Sequence, residues 1–141
     1  MNIQLSPATL NCNLCNGLGI YAGAEWTLPV QVCERKVSEG HIVDTPVDLT
    51  GLTGRASIKA YAGADQAVAI PTVEITDALD GRILISLTAE ETSAIVVRGY
   101  TWKDVSVFQW DCYLDDGSES YRILQGSIEV SPKVTDGDDH E

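Results

Sequence analysis

The chain has 141 residues, of which 44% are hydrophobic and 21% charged, and 21 acidic residues against 9 basic ones give a formal net charge of −12. A chain of this length and composition fits one folded domain and is too apolar to stay disordered throughout. Because nucleic acids and anionic membranes repel so acidic a chain, we expect it to bind neither. No signal-peptide pattern or long apolar run occurs, so we expect synthesis in the cytoplasm.

The first 17 residues have no sustained strand or helix period, and they include Pro7. They nevertheless carry four apolar side chains at intervals: Ile3, Leu5, Leu10 and Leu14. These are too many for a purely solvating tail, so residues 1–17 are predicted to form an attachment arm whose apolar side chains contact a neighbouring subunit. An edge strand of the same domain is the alternative.

Period-two alternation of apolar and polar residues predicts strands in the next part of the chain. One strand begins near Trp26, and Pro29 inside it indicates an edge strand or a bulge. A polar turn up to Gly40 and a short strand before Pro46 follow. The third strand spans residues 55–61, with alternate small and apolar side chains on one face.

The middle of the chain contains two further strands and the one helix signal. A β-rich run at residues 67–75 is followed by a turn at 77–81 and an alternating strand at 82–87. Thr88 and Glu91 then stand three residues apart, the spacing of a capping box, and predict one short helical turn.

The carboxyl-terminal part is predicted to be a hairpin. A strand at residues 100–108 leads into it, and the hairpin occupies residues 110–135, with the chain reversing at Asp116-Gly117. Gly126 interrupts the second arm and indicates a bulge or a close backbone contact. Pro132 has no N–H to donate to a neighbouring strand, so the second arm should end there.

Together these elements predict an all-β fold, a single antiparallel β-sandwich of immunoglobulin-like type with about seven or eight short strands and one helical turn. The sandwich domain is predicted to span residues 18–135. Residues 136–141, rich in aspartate, are predicted to form an acidic disordered tail.

Three segments follow one another along the chain: PVDLTGLTGRASIKA at residues 46–60, GRILISLTAEETSAI at 81–95 and the hairpin at 110–135. In this order they resemble small β-domains of tailed-phage virions, in particular the N-terminal domain of the baseplate upper protein of siphophages. The resemblance implies a non-enzymatic structural protein of the virion, made in the host cytoplasm, that docks receptor-binding components as a tail-tip, baseplate or tail-fibre adaptor. It also implies other phage structural proteins as partners and a homo-oligomer in the particle.

Groups suited to catalysis or metal binding are sparse. Four cysteines are the candidate metal ligands: Cys12, Cys15, Cys33 and Cys112. They could hold zinc, but buried or free thiols are the preferred interpretation, with a late disulfide as a further alternative. Histidine occurs only at His41 and His140, and no nucleophile elbow or phosphate-binding loop is present, so we expect no enzyme and no cofactor.

Aromatic residues leave a second class of function open. Three tryptophans share parity with apolar neighbours and are predicted to lie in the core: Trp26, Trp102 and Trp110. Four tyrosines lie more often at polar-facing positions and suit either a contact or an exposed ring: Tyr21, Tyr61, Tyr113 and Tyr121. A carbohydrate-binding β-sandwich module that uses tyrosines and turn carboxylates is therefore the alternative function. Within the class of virion proteins, a head decoration protein is a further alternative.

Overall fold

Strands make up most of the regular structure in the computed structural model, which describes residues 7–99, 101 and 103–134. Within these residues, ten strands, a short α-helix (α1, Ala89–Ser93) and a 3-10 helix (Leu14–Asn16) follow one another. The strands are β1 (Ala8–Thr9), β2 (Ile20–Tyr21), β3 (Trp26–Gln31), β4 (Cys33–Ser38), β5 (His41–Pro46), β6 (Thr53–Lys59), β7 (Thr72–Asp77), β8 (Arg82–Leu87), β9 (Ser106–Asp115) and β10 (Ser120–Ser131). The all-β prediction is confirmed.

The predicted carboxyl-terminal hairpin is present as β9 and β10, in the middle of the larger sheet. The strand order of the larger sheet is β1-β10-β9-β6, and β2 also pairs with β10. The chain reverses after Asp115, with Gly117 at a φ of 99° that glycine adopts without strain. β10 ends at Ser131, immediately before Pro132, as predicted.

Gly126 marks a close backbone contact, whereas the bulge lies elsewhere. The pairing of β10 with β9 is regular at Gly126 and shifts between Arg122 and Leu124. A Cβ at Gly126 would overlap the carbonyl oxygen of Leu10. The close-contact interpretation is therefore confirmed, and the bulge occurs at Ile123.

The amino-terminal segment belongs to the sheet, so the predicted separation of residues 1–17 from the core is wrong for its described part. Ala8 lies opposite Leu124 in a parallel pair, and further along Cys12 lies opposite Ile128. The Cys12 N–H donates to the Ser127 carbonyl at 2.8 Å, and the Cys12 side chain is fully buried. From Ala8 onward the edge-strand alternative is correct, and the domain begins before residue 18.

The second sheet contains β3, β8 and β7 in that order, all antiparallel. β3 contains Pro29 and lies at the edge, as predicted, where a missing N–H leaves no gap in a ladder. β8 has the predicted bounds and buries Ile83, Ile85 and Leu87 on one face. The capping box is also confirmed, because the Thr88 hydroxyl accepts from the Glu91 N–H and the Glu91 carboxylate accepts from the Thr88 N–H.

Two other strand predictions need correction. The run predicted at residues 67–75 becomes a strand only after Pro71, as β7. The strand predicted at 100–108 begins only at Ser106. Before it, the Asp104 carboxylate accepts from the Thr101 N–H at 2.8 Å, which holds the backbone in a turn and keeps it out of the ladder.

Both sheets contribute to one buried cluster. The rings of Trp26 on β3 and Trp110 on β9 meet edge to face, with centroids 6.4 Å apart and planes at 89°. Their indole N–H groups donate to the carbonyls of Leu18 and Leu10, so each tryptophan also fixes the amino-terminal segment. The core prediction is confirmed for these two tryptophans, while Trp102 lies outside the described residues.

The immunoglobulin-like topology stays a prediction, and the tail at 136–141 lies outside the described residues. Parallel pairing of β1 and β2 with β10 adds to a sheet that is otherwise antiparallel. No helix in the described part of the chain is long and apolar enough to cross a membrane.

Candidate interaction surfaces

A two-stranded hairpin of β4 and β5 stands apart from both sheets. In the described ranges, these strands pair only with each other, and Val37 lies directly opposite Ile42. Glu39 and Gly40 form the two-residue turn with φ values of 52° and 79°. Two successive positive φ values are typical of a type I′ turn, whose twist matches that of the flanking strands. The hairpin therefore has a defined register although no third strand among the described residues supports it.

The hairpin is attached to the domain through its base. The Val32 N–H donates to the Gly81 carbonyl at 2.7 Å, and the Val47 N–H donates to the Val32 carbonyl at 2.9 Å. A Cβ at Gly81 would lie 2.5 Å from the Val32 oxygen, so the close approach of these segments depends on glycine there. Further out, Arg35 holds Asp44 through two hydrogen bonds of 2.8 and 3.1 Å, which lower the pKa of this carboxyl.

Apolar side chains of this hairpin face solvent. Every residue from Glu34 to Thr45 is exposed, with exposed fractions of 74% for Val37, 65% for Ile42 and 46% for Val43. An isolated two-stranded hairpin is at best marginally stable in water, and within the described part of the chain neither strand has a partner on its outer edge. The hairpin thus combines exposed β-branched side chains with exposed backbone edges, and both are features of a surface that binds another protein.

The outward face of the larger sheet forms a second candidate surface, a polar groove of about 710 Å³. Alternation along β6 and β9 places apolar side chains in the core and directs Arg55, Lys59 and Asp111 into the groove. β10 contributes Arg122 and Gln125 from the other side. Three of the 9 basic residues of an acidic chain thus line one groove.

The ring of Tyr113 in this groove makes cation–π contacts with two arginines. The Arg55 guanidinium carbon lies 4.4 Å from the ring centroid and that of Arg122 lies 5.9 Å from it. Arg55 is also held by Asp115, with 2.9 Å between Nε and Oδ2. Exposed cation–π contacts of this kind contribute about 0.5–1 kcal/mol each. The ring is therefore less available for stacking on a sugar than its position in the groove suggests.

The carboxylates of the β9–β10 turn stabilise the turn itself. Asp116 accepts from the Glu119 N–H at 2.7 Å and the Ser118 N–H at 2.9 Å, which lowers its pKa to about 2. The Tyr121 hydroxyl donates to the Glu119 carboxylate at 2.9 Å, and this bond is the main cause that raises the tyrosine pKa to about 12. These groups are engaged with one another and with the backbone.

The four cysteines are dispersed. Cys12 and Cys112 are buried, Cys33 is half-buried and Cys15 is exposed, and all four are free thiols. Across the described residues, no group of three or more His, Cys, Asp or Glu side chains is placed to hold a metal ion, so the zinc alternative has no support. Burial raises the pKa of Cys12 to about 11 and that of Cys112 to about 12, which keeps both protonated at neutral pH.

The predicted interface residues have different positions. Leu10 is half-buried and packs against the core of its own domain, so its side chain does not project toward a neighbouring subunit. Leu14 begins the 3-10 helix, and its side chain covers Gly19. Ile3 and Leu5 lie outside the described residues. Two of the tyrosines predicted to suit a contact are more than half exposed, Tyr21 at 51% and Tyr61 at 65%.

Sequence reasoning missed the β4–β5 hairpin as a surface. It predicted a polar turn where β4 lies, because neither face of this strand is buried and no alternation results. The available signal was Gly40 between two runs that each contain β-branched residues, Val37 on one side and Ile42-Val43 on the other.

Comparison of the chain with models of known protein families finds no match, and comparison with curated proteins finds none either.

Proposed function

We propose that the protein is a non-enzymatic structural component of a tailed-phage or prophage virion, an adaptor of the tail tip, baseplate or tail fibre. It docks onto a neighbouring subunit through the β4–β5 hairpin. The observation that supports this most is the hairpin's exposure, with Val37 and Ile42 side by side in a fixed register and no cover in the described residues. The resemblance of three ordered segments to phage baseplate domains supports the virion assignment.

Docking through this hairpin is favourable on physical grounds. Full burial of a valine or isoleucine side chain contributes about 1.5–3 kcal/mol, so Val37 and Ile42, which share one face of the hairpin, together offer several kcal/mol. The tight turn and the Arg35–Asp44 pair hold the hairpin in place before contact, which reduces the entropy lost on binding. The outer backbone edges can add strand pairing with the partner.

Several observations support a role without catalysis. The buried thiols of Cys12 and Cys112 have raised pKa values and are poor nucleophiles. His41 is exposed at the end of the hairpin turn. The clustered carboxylates at Asp116 stabilise a turn. These contacts favour a structural role for groups that might otherwise suggest chemistry.

Particle incorporation tests the proposal. The Val37→Ser/Ile42→Ser double variant and the matched control Lys36→Ser are expressed in cells in which the phage or prophage that carries the gene is producing particles. Both variants should fold, because all three side chains are exposed. Purified particles should contain the wild type and the control but lack the double variant. Particles that contain the folded double variant at the wild-type level, or that lack the wild-type chain, would contradict the proposal.

The polar groove supports a second candidate, a carbohydrate-binding module. Its side chains are hydrogen-bonding and cationic, with Lys59, Arg122 and Gln125 directed toward solvent. Titration with neutral and acidic oligosaccharides, followed by NMR shifts of the backbone amides, tests this function. Saturable shifts along β6 and β9 that disappear in Arg122→Gln, but persist in Arg82→Gln on the other sheet, would favour the module. Detection of the chain in separated heads, and not in tails, would instead favour a head decoration protein.

A further inference from the structure

Polar side chains on the outward face of the larger sheet form rows that cross its strands. Arg55 of β6, Tyr113 of β9 and Arg122 of β10 lie opposite one another in one row. Because alternate residues of a strand point to the same side, the residues that follow at intervals of two along β9 continue this face. The next two rows are Ser57–Asp111–Gln125 and Lys59–Gln109–Ser127. All of these residues line the polar groove.

The guanidinium of Arg122 is available to a ligand, whereas that of Arg55 is already held. Arg55 Nε lies 2.9 Å from Asp115 Oδ2, so its charge is neutralised within the chain. Arg122 is exposed, and among the described residues it forms no ion pair. Its guanidinium carbon lies 5.9 Å from the centre of the Tyr113 ring, within the range of a cation–π contact. This contact restricts the side chain and reduces the entropy lost when a ligand binds.

The charges in the rows follow a pattern that distinguishes between anionic ligands. Lys59 and Arg122 lie at opposite corners, two strands and four residues apart, which corresponds to roughly 17 Å between their Cα atoms. Asp111 lies between them. A nucleic acid would bring phosphates against Asp111, and the net charge of −12 adds to the repulsion. A ligand whose anionic groups are separated by neutral hydroxyl groups fits this pattern better.

The position of the groove favours a sugar chain over a peptide. β9 runs along the middle of this face and already pairs with β10 on one side and β6 on the other, so its backbone is not open to a further strand. A peptide that binds without strand pairing relies on apolar pockets for much of its affinity. Hydroxyl and amide side chains line this groove instead: Thr9, Ser57, Gln109 and Gln125. These groups suit a ligand that is rich in hydroxyls.

We propose that the groove binds an acidic oligosaccharide, with a sugar carboxylate on the Arg122 guanidinium and a second acidic group near Lys59. A carboxylate matches the two parallel N–H groups of arginine, and such a bidentate pair is stronger and more directional than a neutral hydrogen bond. Hydroxyl groups between the two carboxylates donate to Asp111 and bind the amide of Gln125. The inference rests on the second candidate function, the carbohydrate-binding module, and names the class of its ligand.

An NMR titration of the intact protein with trigalacturonic acid and with its methyl ester tests this inference. The ester keeps the sugar rings and most hydroxyls but removes the negative charges. The acid should shift the Nε–H signal of Arg122 and the backbone amides of β9, and it should bind about 10-fold or more tightly than the ester. Hexaglutamate, which has the charges without the sugar, should bind more weakly than the acid.

Variants identify the group that selects the charge. Arg122→Gln should bind the acid and the ester about equally, and Lys59→Gln should reduce the preference for the acid. Arg122→Lys should keep part of this preference, because lysine retains the charge but not the bidentate geometry. The matched control is Arg82→Gln, which changes an exposed arginine on the second sheet and should bind as the wild type does.

Several results would overturn the inference. Equal affinity of the wild type for the acid and the ester would leave a carbohydrate-binding module in place but remove the preference for acidic sugars. No shift of the Arg122 signal with the acid at millimolar concentration would contradict both. Hexaglutamate that binds as tightly as the acid would identify an acidic peptide as the ligand. An equal loss of binding in Arg82→Gln and Arg122→Gln would show that the ligand is not held in the groove.

Discussion

Replacement of Gly126 with alanine should destabilise the domain by about 2 kcal/mol. The new Cβ would overlap the Leu10 carbonyl oxygen, so the amino-terminal segment must move or the strands must strain. Movement removes two hydrogen bonds, from the Leu10 N–H to Gln125 and from the Trp110 indole to Leu10. At about 0.5–1.5 kcal/mol each, they sum to about 1–3 kcal/mol, and strain in a packed site costs about the same.

Urea unfolding followed by tryptophan fluorescence measures this change, because Trp26 and Trp110 are buried in the folded domain and become exposed when it unfolds. Gly63→Ala is the control: its φ is +85° and a Cβ there meets nothing within 4 Å. The control should lose about 1 kcal/mol through backbone strain alone, with no faster exchange of the Leu10 amide. A Gly126→Ala variant within about 0.5 kcal/mol of the wild type would refute the argument that this contact holds the amino-terminal segment.

Three further predictions concern local groups. Thr88→Ala should lower stability by about 1 kcal/mol in urea unfolding, because it removes the cap of α1, and Thr88→Ser should restore most of it. Cys15 should react first with a thiol reagent, whereas Cys12 and Cys112 should react only on unfolding; early reaction of either buried thiol would contradict the packing. Ultraviolet titration should detect Tyr121 ionising at about 12, and since this pKa is raised on folding, the stability it contributes should be lost between about pH 10 and 12.

Strong local patterns made part of the fold predictable. β8 and the capping box of α1 have the predicted positions because alternation and capping depend on neighbouring residues alone. The amino-terminal segment was misjudged because its partner, β10, lies more than a hundred residues away in sequence. Cys12 is buried because it lies opposite Ile128 of β10. The apolar residues near it in sequence show no regular alternation, so their spacing does not predict a strand.

The candidate site was predictable to a smaller extent. Gly126 was recognised as a position of close contact, but only the structure identifies Leu10 as the group it meets. β4 and β5 bury neither face, so they lack the pattern that identifies a strand. An element that folds without contributing to the core leaves little trace in hydrophobic periodicity, and exposed elements of this kind are available to bind a partner.

Cross-linking mass spectrometry of intact particles is the most direct test of docking through the β4–β5 hairpin. Lys36 lies on the exposed hairpin, and Lys59 lies in the polar groove on the larger sheet. An amine-reactive cross-linker should join Lys36 to a different structural protein of the particle, while Lys59 shows no preference for that protein. Links from Lys59 to the neighbour, with Lys36 joined only to its own chain, would show that the groove and not the hairpin is the docking surface.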